Sequence, residues 1–276
     1  MFKLFDFHTH IFPEELAKRA LPILAAPAKL TPATDGTLLG TSEYMRASGV
    51  DGFLVLNVAT NAKQQENVNK FAVSVQESGL AESFGSFYPK APDALEQLLS
   101  IHKAGLKGVK LHPEYQGYDI DDRSVYPLYE VIRDLGMIVV FHAGFDCAYP
   151  DTLHAPVPAV KRVADDFKGL KMVAAHFGGF LHYEEAADEL AGKADIYLDT
   201  SCSVGYLDPA LAEKIITRHG AERILFGSDC PWGSPRAHAE FIDSLRLTTR
   251  EKELIFYENA KRLLGLGDKK TAREAV

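Results

Sequence analysis

Two histidines, His8 and His10, stand two residues apart in the stretch Asp6-Phe7-His8-Thr9-His10. In an extended strand alternate side chains share a face, so both imidazoles and the Asp6 carboxylate fall on one side. Two imidazoles so placed can grip one metal ion, with the carboxylate behind them orienting a ring. The same pair on an edge strand facing solvent would do no chemistry. The metal reading therefore depends on further ligands elsewhere in the chain.

Such residues recur at the ends of apolar runs. His112 closes the run 106–112, which also carries Lys110. His142 closes 137–142, His176 closes 171–176, Asp199 lies at the end of 194–200, and Asp229 closes 223–229. The remaining histidines fall on expected helices or loops and read as solvated or structural. His8, His10 and His142 offer neutral nitrogens, and Asp229 offers an oxygen that can also take a proton from water. This donor set suits one divalent ion, zinc first, with manganese or iron as alternatives. An open coordination position lowers the pKa of a bound water toward neutrality. His176 either polarises the substrate carbonyl and shuttles protons or binds a second ion.

Lys110 has three readings, because a lysine buried in a barrel is costly unless paired. It bridges two ions after carboxylation, holds a substrate carboxylate together with His112, or sits at the barrel bottom against Asp6. Trp232 is expected to wall the substrate, and the loop 145–158, with Tyr149 and His154, to cover the site. Tyr115 and Tyr118 are further lining candidates. Cys202 and Cys230 read as small buried hydrophobes.

The elements that must position these groups alternate regularly. Strands are expected at 2–10, 51–59, 81–88, 106–112, 137–142, 171–176, 194–200 and 223–229. Helices are expected from Pro13 and at 42–48, 62–78, 92–103, 124–135, 159–166, 182–190, 209–219 and within 236–264. Residues 22–40 read as a long loop walling the site, and the chain frays from Gly265 onward. Eight strand–helix units in 276 residues, with no linker or composition break, imply a single closed (β/α)8 barrel over 1–276. An open doubly wound sheet would instead carry a glycine-rich first turn, and here that turn is rich in histidine. In a barrel, the strand C-termini are where catalytic side chains gather.

Bulk composition narrows the partners. The hydrophobic fraction is 46% and the charged fraction 25%, ordinary for a globular enzyme. A net charge of −8 disfavours nucleic acid, which wants a basic face. Three dispersed cysteines without CxxC spacing suggest a reducing compartment. The N-terminus shows no signal-peptide pattern, and no apolar run approaches the ~20 residues of a membrane span. A cytoplasmic enzyme on a small-molecule substrate is expected, with homo-oligomerisation left open.

The opening HTH, the strand-end His142 and His176, the phrase LFGSDCPW (225–232) and the closing ENAKRLLGL (258–266) resemble the amidohydrolase superfamily. Within it they are most similar to the amidohydrolase-related family that includes aminocarboxymuconate-semialdehyde decarboxylase and several lactonases. The resemblance implies a distorted (β/α)8 barrel with one or two divalent ions, His8, His10, His142 and Asp229 as ligands and His176 as acid/base. Lys110 departs from the pattern of the single-zinc decarboxylases. Hydrolysis of an amide, ester or lactone is the leading expectation. A metal-dependent decarboxylase, using Lys110 and Arg236 over the leaving carboxylate, is the alternative. A deoxyribonuclease of the HxH barrel type is disfavoured by the net charge of −8. A non-catalytic metal module would need a closed ligand set.

Overall fold

The computed structural model describes residues 2–267, so most of the expected frayed tail lies outside the described residues. Eight parallel strands alternate with helices: β1 Phe5–Thr9, β2 Gly52–Leu56, β3 Glu82–Phe84, β4 Gly108–Leu111, β5 Ile138–Phe141, β6 Lys171–Ala174, β7 Tyr197–Asp199 and β8 Ile224–Leu225. Continuous ladders run β1-β2-β3 and β4 through β8. At one seam Gly85 bridges Val109, and Lys110 N–H donates to Gly85 O at 2.9 Å. At the other, Thr9 bridges Cys230, and Phe7 N–H donates to Phe226 O at 2.8 Å. The two seams join the ladders into a ring, the expected (β/α)8 barrel. Each strand is shorter than its apolar run, because the residues past its last ladder bond turn into the loops that carry the site.

Alternation along the strands sorts side chains into two layers. Val109, Leu111, Val139 and Phe141 pack outward into the large core shared with the helices. Ile138, Val140 and Val173 pack inward against Leu54, Leu56 and Phe84. Lys110 pairs with Val140 in register and so takes the inward parity. His112 and His142 continue that parity past the strand ends.

Two helix expectations are corrected. The loop expected over 22–40 spans only 26–37: helix Glu14–Ala25 runs on past Pro22 and takes its first four residues. A proline removes one backbone donor and leaves the carbonyl four residues earlier without a partner. That carbonyl belongs to Lys18, on the exposed side of the helix, where water can satisfy it. The next helix starts at Leu38 rather than Ser42, because the Thr37 hydroxyl caps it by accepting from Gly40 N–H. None of the described helices is long and apolar enough to cross a membrane.

Candidate metal centre

The strand C-termini open into one cavity of about 1260 Å³ that reaches His8, His10, Lys110, His142, His176 and Asp229. Three atoms at its floor form a nearly equilateral triangle. His8 Nε2 lies 3.2 Å from His10 Nε2 and 3.3 Å from Asp229 Oδ1, and His10 Nε2 lies 3.2 Å from the same oxygen. The backbone just past β8 can come this close because position 227 is glycine: a Cβ there would stand 2.9 Å from that of His8.

The far nitrogens decide the tautomers. His10 Nδ1 donates to the Leu56 carbonyl at 2.8 Å, and a carbonyl only accepts. His8 Nδ1 donates to the Asp199 carboxylate at 2.8 Å. Burial, with Lys110 nearby, pushes the His8 imidazolium down to about 4, so the ring is neutral at physiological pH. Both Nε2 atoms therefore present lone pairs to one another and to a carboxylate oxygen. Burial works against charge on Asp229, and its carboxyl lies well below the usual range only through positive charge on its His8 and His10 side, which two neutral rings do not supply. Three facing lone pairs repel unless a cation lies among them. An ion with tetrahedral bonds of about 2.0–2.1 Å sets its ligand atoms roughly 3.3 Å apart, which is the spacing found. These residues fit a divalent metal.

The second ring of contacts departs from the sequence reading. Asp6 does not orient an imidazole. It accepts from the Ser228 hydroxyl and from Ser228 and His8 N–H, and burial lifts its carboxyl to about 7. The orienting carboxylate is Asp199, at the end of β7. Ser201, two residues on, donates its hydroxyl to Asp199 and sits 3.0 Å from His8 Nδ1 and 2.8 Å from His176 Nδ1. One carboxylate–hydroxyl pair thus fixes both rings. A strand-end aspartate followed two residues later by serine was the available signal.

His142 lies beside the triangle rather than within it. Its Nε2 donates to the Phe145 carbonyl at 3.1 Å, and its Nδ1 faces His176 Nε2 at 3.0 Å. His112 stacks on His142 with centroids 4.2 Å apart and approaches Asp146 at 3.5 Å. Asp146, on the loop after β5, carried no sequence signal. Burial depresses all three imidazolium groups, His112, His142 and His176.

Lys110 is not at the barrel bottom against Asp6. Its Nζ reaches the floor of the cavity, 3.4 Å from His8 Nε2, and burial lowers its ammonium to about 8. Trp232 and Tyr115 line the cavity, as do Phe145 to Ala148 of the covering loop. Three expectations fail. Tyr118 is buried against Tyr129, away from the cavity. Arg236 bonds the Ala47 carbonyl on the outside. Cys202 is no mere filler, since its Sγ donates to Asp229 Oδ2 at 3.2 Å. Cys230 is buried as expected. His154 pairs with Asp119, and its Nδ1 is turned to that carboxylate.

His176, Cys202 and Asp229 all hold left-handed backbones, with φ of 58°, 54° and 64°. Non-glycine residues adopt this region at a cost, and such strain gathers where side chains must be aimed. Here it aims the residues that follow β6, β7 and β8 into the cavity.

Similar folds occur among solved structures. An uncharacterised TIM-barrel protein from Bordetella bronchiseptica superposes with a TM-score of 0.76 at 22% identity, covering 95% of this chain and 98% of that one. A dihydroxybenzoic acid decarboxylase from Polaromonas sp. JS666, with bound manganese and the inhibitor 2-nitroresorcinol, gives 0.71 at 15% identity, covering 98% and 99%. A Pseudomonas putida protein provisionally assigned as a 2-pyrone-4,6-dicarboxylic acid hydrolase gives 0.67 at 19%, covering 96% and 98%. A search of curated proteins returned no match. The model of the amidohydrolase family matches residues 5–266, nearly the whole described chain, with the histidine and aspartate floor inside it. The chain belongs to the amidohydrolase family.

Proposed function

We propose that this protein is a metal-dependent hydrolase that attacks the carbonyl of an ester, lactone or amide of a small molecule. The observation that carries the reading is the triangle of His8 Nε2, His10 Nε2 and Asp229 Oδ1, three lone-pair atoms 3.2–3.3 Å apart on the cavity floor. These three residues would hold the ion, with His142, the further ligand the resemblance implies, beside them and 3.0 Å from His176 Nε2. A divalent ion bound there supplies Lewis-acid polarisation and lowers the pKa of water. Zinc suits the donor set, and manganese or iron fits it too.

The chain's own groups do the rest. Asp229, ionised beside two neutral imidazoles, accepts the proton of the attacking water. His176, whose Nδ1 donates to Ser201 Oγ, keeps its ring against the cavity, and its unprotonated Nε2 takes that proton on toward the leaving group. Trp232 and Tyr115 exclude bulk water from the floor. Arg236 lies outside the cavity, so of the two cations expected over a leaving carboxylate only Lys110 reaches it.

A decarboxylase is the second reading, favoured by Lys110. Its ammonium, on the cavity floor, could hold a leaving carboxylate, and a decarboxylase with this fold binds manganese. The test is one metal-loaded preparation assayed on an ester and lactone panel by pH-stat and on aromatic acids by CO₂ release. Acid release that falls at least about 100-fold in Asp229→Asn supports hydrolysis. CO₂ release without acid release overturns it in favour of the lyase.

A further inference from the structure

The cavity exceeds the ~300–1,000 Å³ of ordinary small-molecule sites, at about 1260 Å³. The histidine and aspartate floor takes only one end. Much of the remainder is walled by helix Glu14–Ala25 and helix Gln65–Ser78. On the first helix, Ala17, Leu21 and Ala25 are buried in the protein at i, i+4 and i+8. Leu16, Ala20, Ile23 and Leu24 form a second stripe, apolar apart from Arg19 among them, turned about 100° round the axis, and line the cavity. Val68 and Phe71 line it from the second helix. A helix that only capped the barrel would need one apolar face. Here the second face is left open, with Leu16 42% and Ile23 70% exposed.

We propose that this stripe is a subsite for an alkyl or acyl chain, so that the substrate is an ester, lactone or amide bearing a medium-length apolar chain. The carbonyl sits on the floor and the chain runs between Ile23 and Val68. The stripe opens into the same cavity as His8 and His176, so whatever covers it shares space with the reacting groups. That favours a substrate over a second subunit. The inference rests on the hydrolase reading above.

The test titrates manganese-loaded protein with acetohydroxamate, butyrohydroxamate and octanohydroxamate by calorimetry. The head group chelates the ion, and only the chain differs. Affinity is expected to rise roughly tenfold for every two methylenes added. Ile23→Asp and Val68→Asp should flatten that rise, with thermal melts confirming that both variants fold. Equal affinities along the series overturn the subsite and leave the metal reading standing. No binding by any member, with the ion retained, overturns the open metal position and the subsite with it. A flat series together with a dimer that Ile23→Asp weakens assigns the stripe to a subunit contact and also overturns the proposal.

Discussion

His8 and His10 meet Asp229 through nitrogens that carry no proton, and each ring is turned that way by an acceptor on its far side. His8→Ala and Asp229→Asn should each take metal content from about one ion per chain to about none, read by elemental analysis. Asp199→Asn keeps the shape but loses the charge that holds His8 and its tautomer. It should weaken metal affinity by about 10–100-fold, read by competition with a chromophoric chelator. The ligand types were legible in the sequence, because strand-end His and Asp residues stand out against apolar runs. Their bracing was not. Asp6 seemed the natural partner through local spacing, whereas Asp199 reaches His8 across 191 positions. Only ring closure brings β7 within reach of β1, with β8 between them. The barrel-bottom reading of Lys110 failed for a related reason: parity gives the direction a side chain points, but not how far up the barrel its long stem carries the charge.

At the scale of elements, backbone conformation does as much as residue type. Gly144 follows β5 with φ of 87°, and a Cβ there would lie 2.2 Å from Phe180 N. Gly144→Ala should destabilise by about 1–3 kcal/mol or more, read as a lower urea midpoint at unchanged slope. Helix Pro209–His219 ends in a different constraint. His219 Nε2 donates to Ile196 O at 2.8 Å and Nδ1 accepts from Gly192 N–H, so the buried ring must stay neutral. Burial lowers its folded pKa from 6.5 to about 4. The unfolded chain therefore takes up the proton first, and stability present above pH 6.5 is lost as pH falls toward 4. The loss should approach about 3 kcal/mol, and His219→Gln should show a shallower acid limb in urea titrations across that window. Most element positions were legible from hydrophobic periodicity. The exception was helix Glu14–Ala25, where Pro22 argued for loop. Interior proline costs a helix one hydrogen bond, and here the bond is lost at Lys18, an exposed residue.

For the whole molecule, metal binding and folding are one equilibrium. An ion that binds only the folded ring stabilises it by about 2.7 kcal/mol at a hundredfold excess over its dissociation constant. Adding manganese or zinc to chelator-treated protein should therefore raise Tm by roughly 5 °C or more. His8→Ala should abolish the rise. The barrel itself was legible from the eightfold alternation, but its seams were not, because they rest on single bridges and a few backbone bonds at Gly85 and Cys230. The β8–β1 seam has a consequence for synthesis. Ser228 and Asp6 touch across 222 positions of sequence, so a growing chain exposes His8 and His10 long before Asp229 exists. A ribosome-bound chain that has not reached β8 lacks the third corner of the triangle. Metal capture by nascent chains should thus begin only once the last strand has emerged and docked, and an ion-sensitive probe would count completed rings.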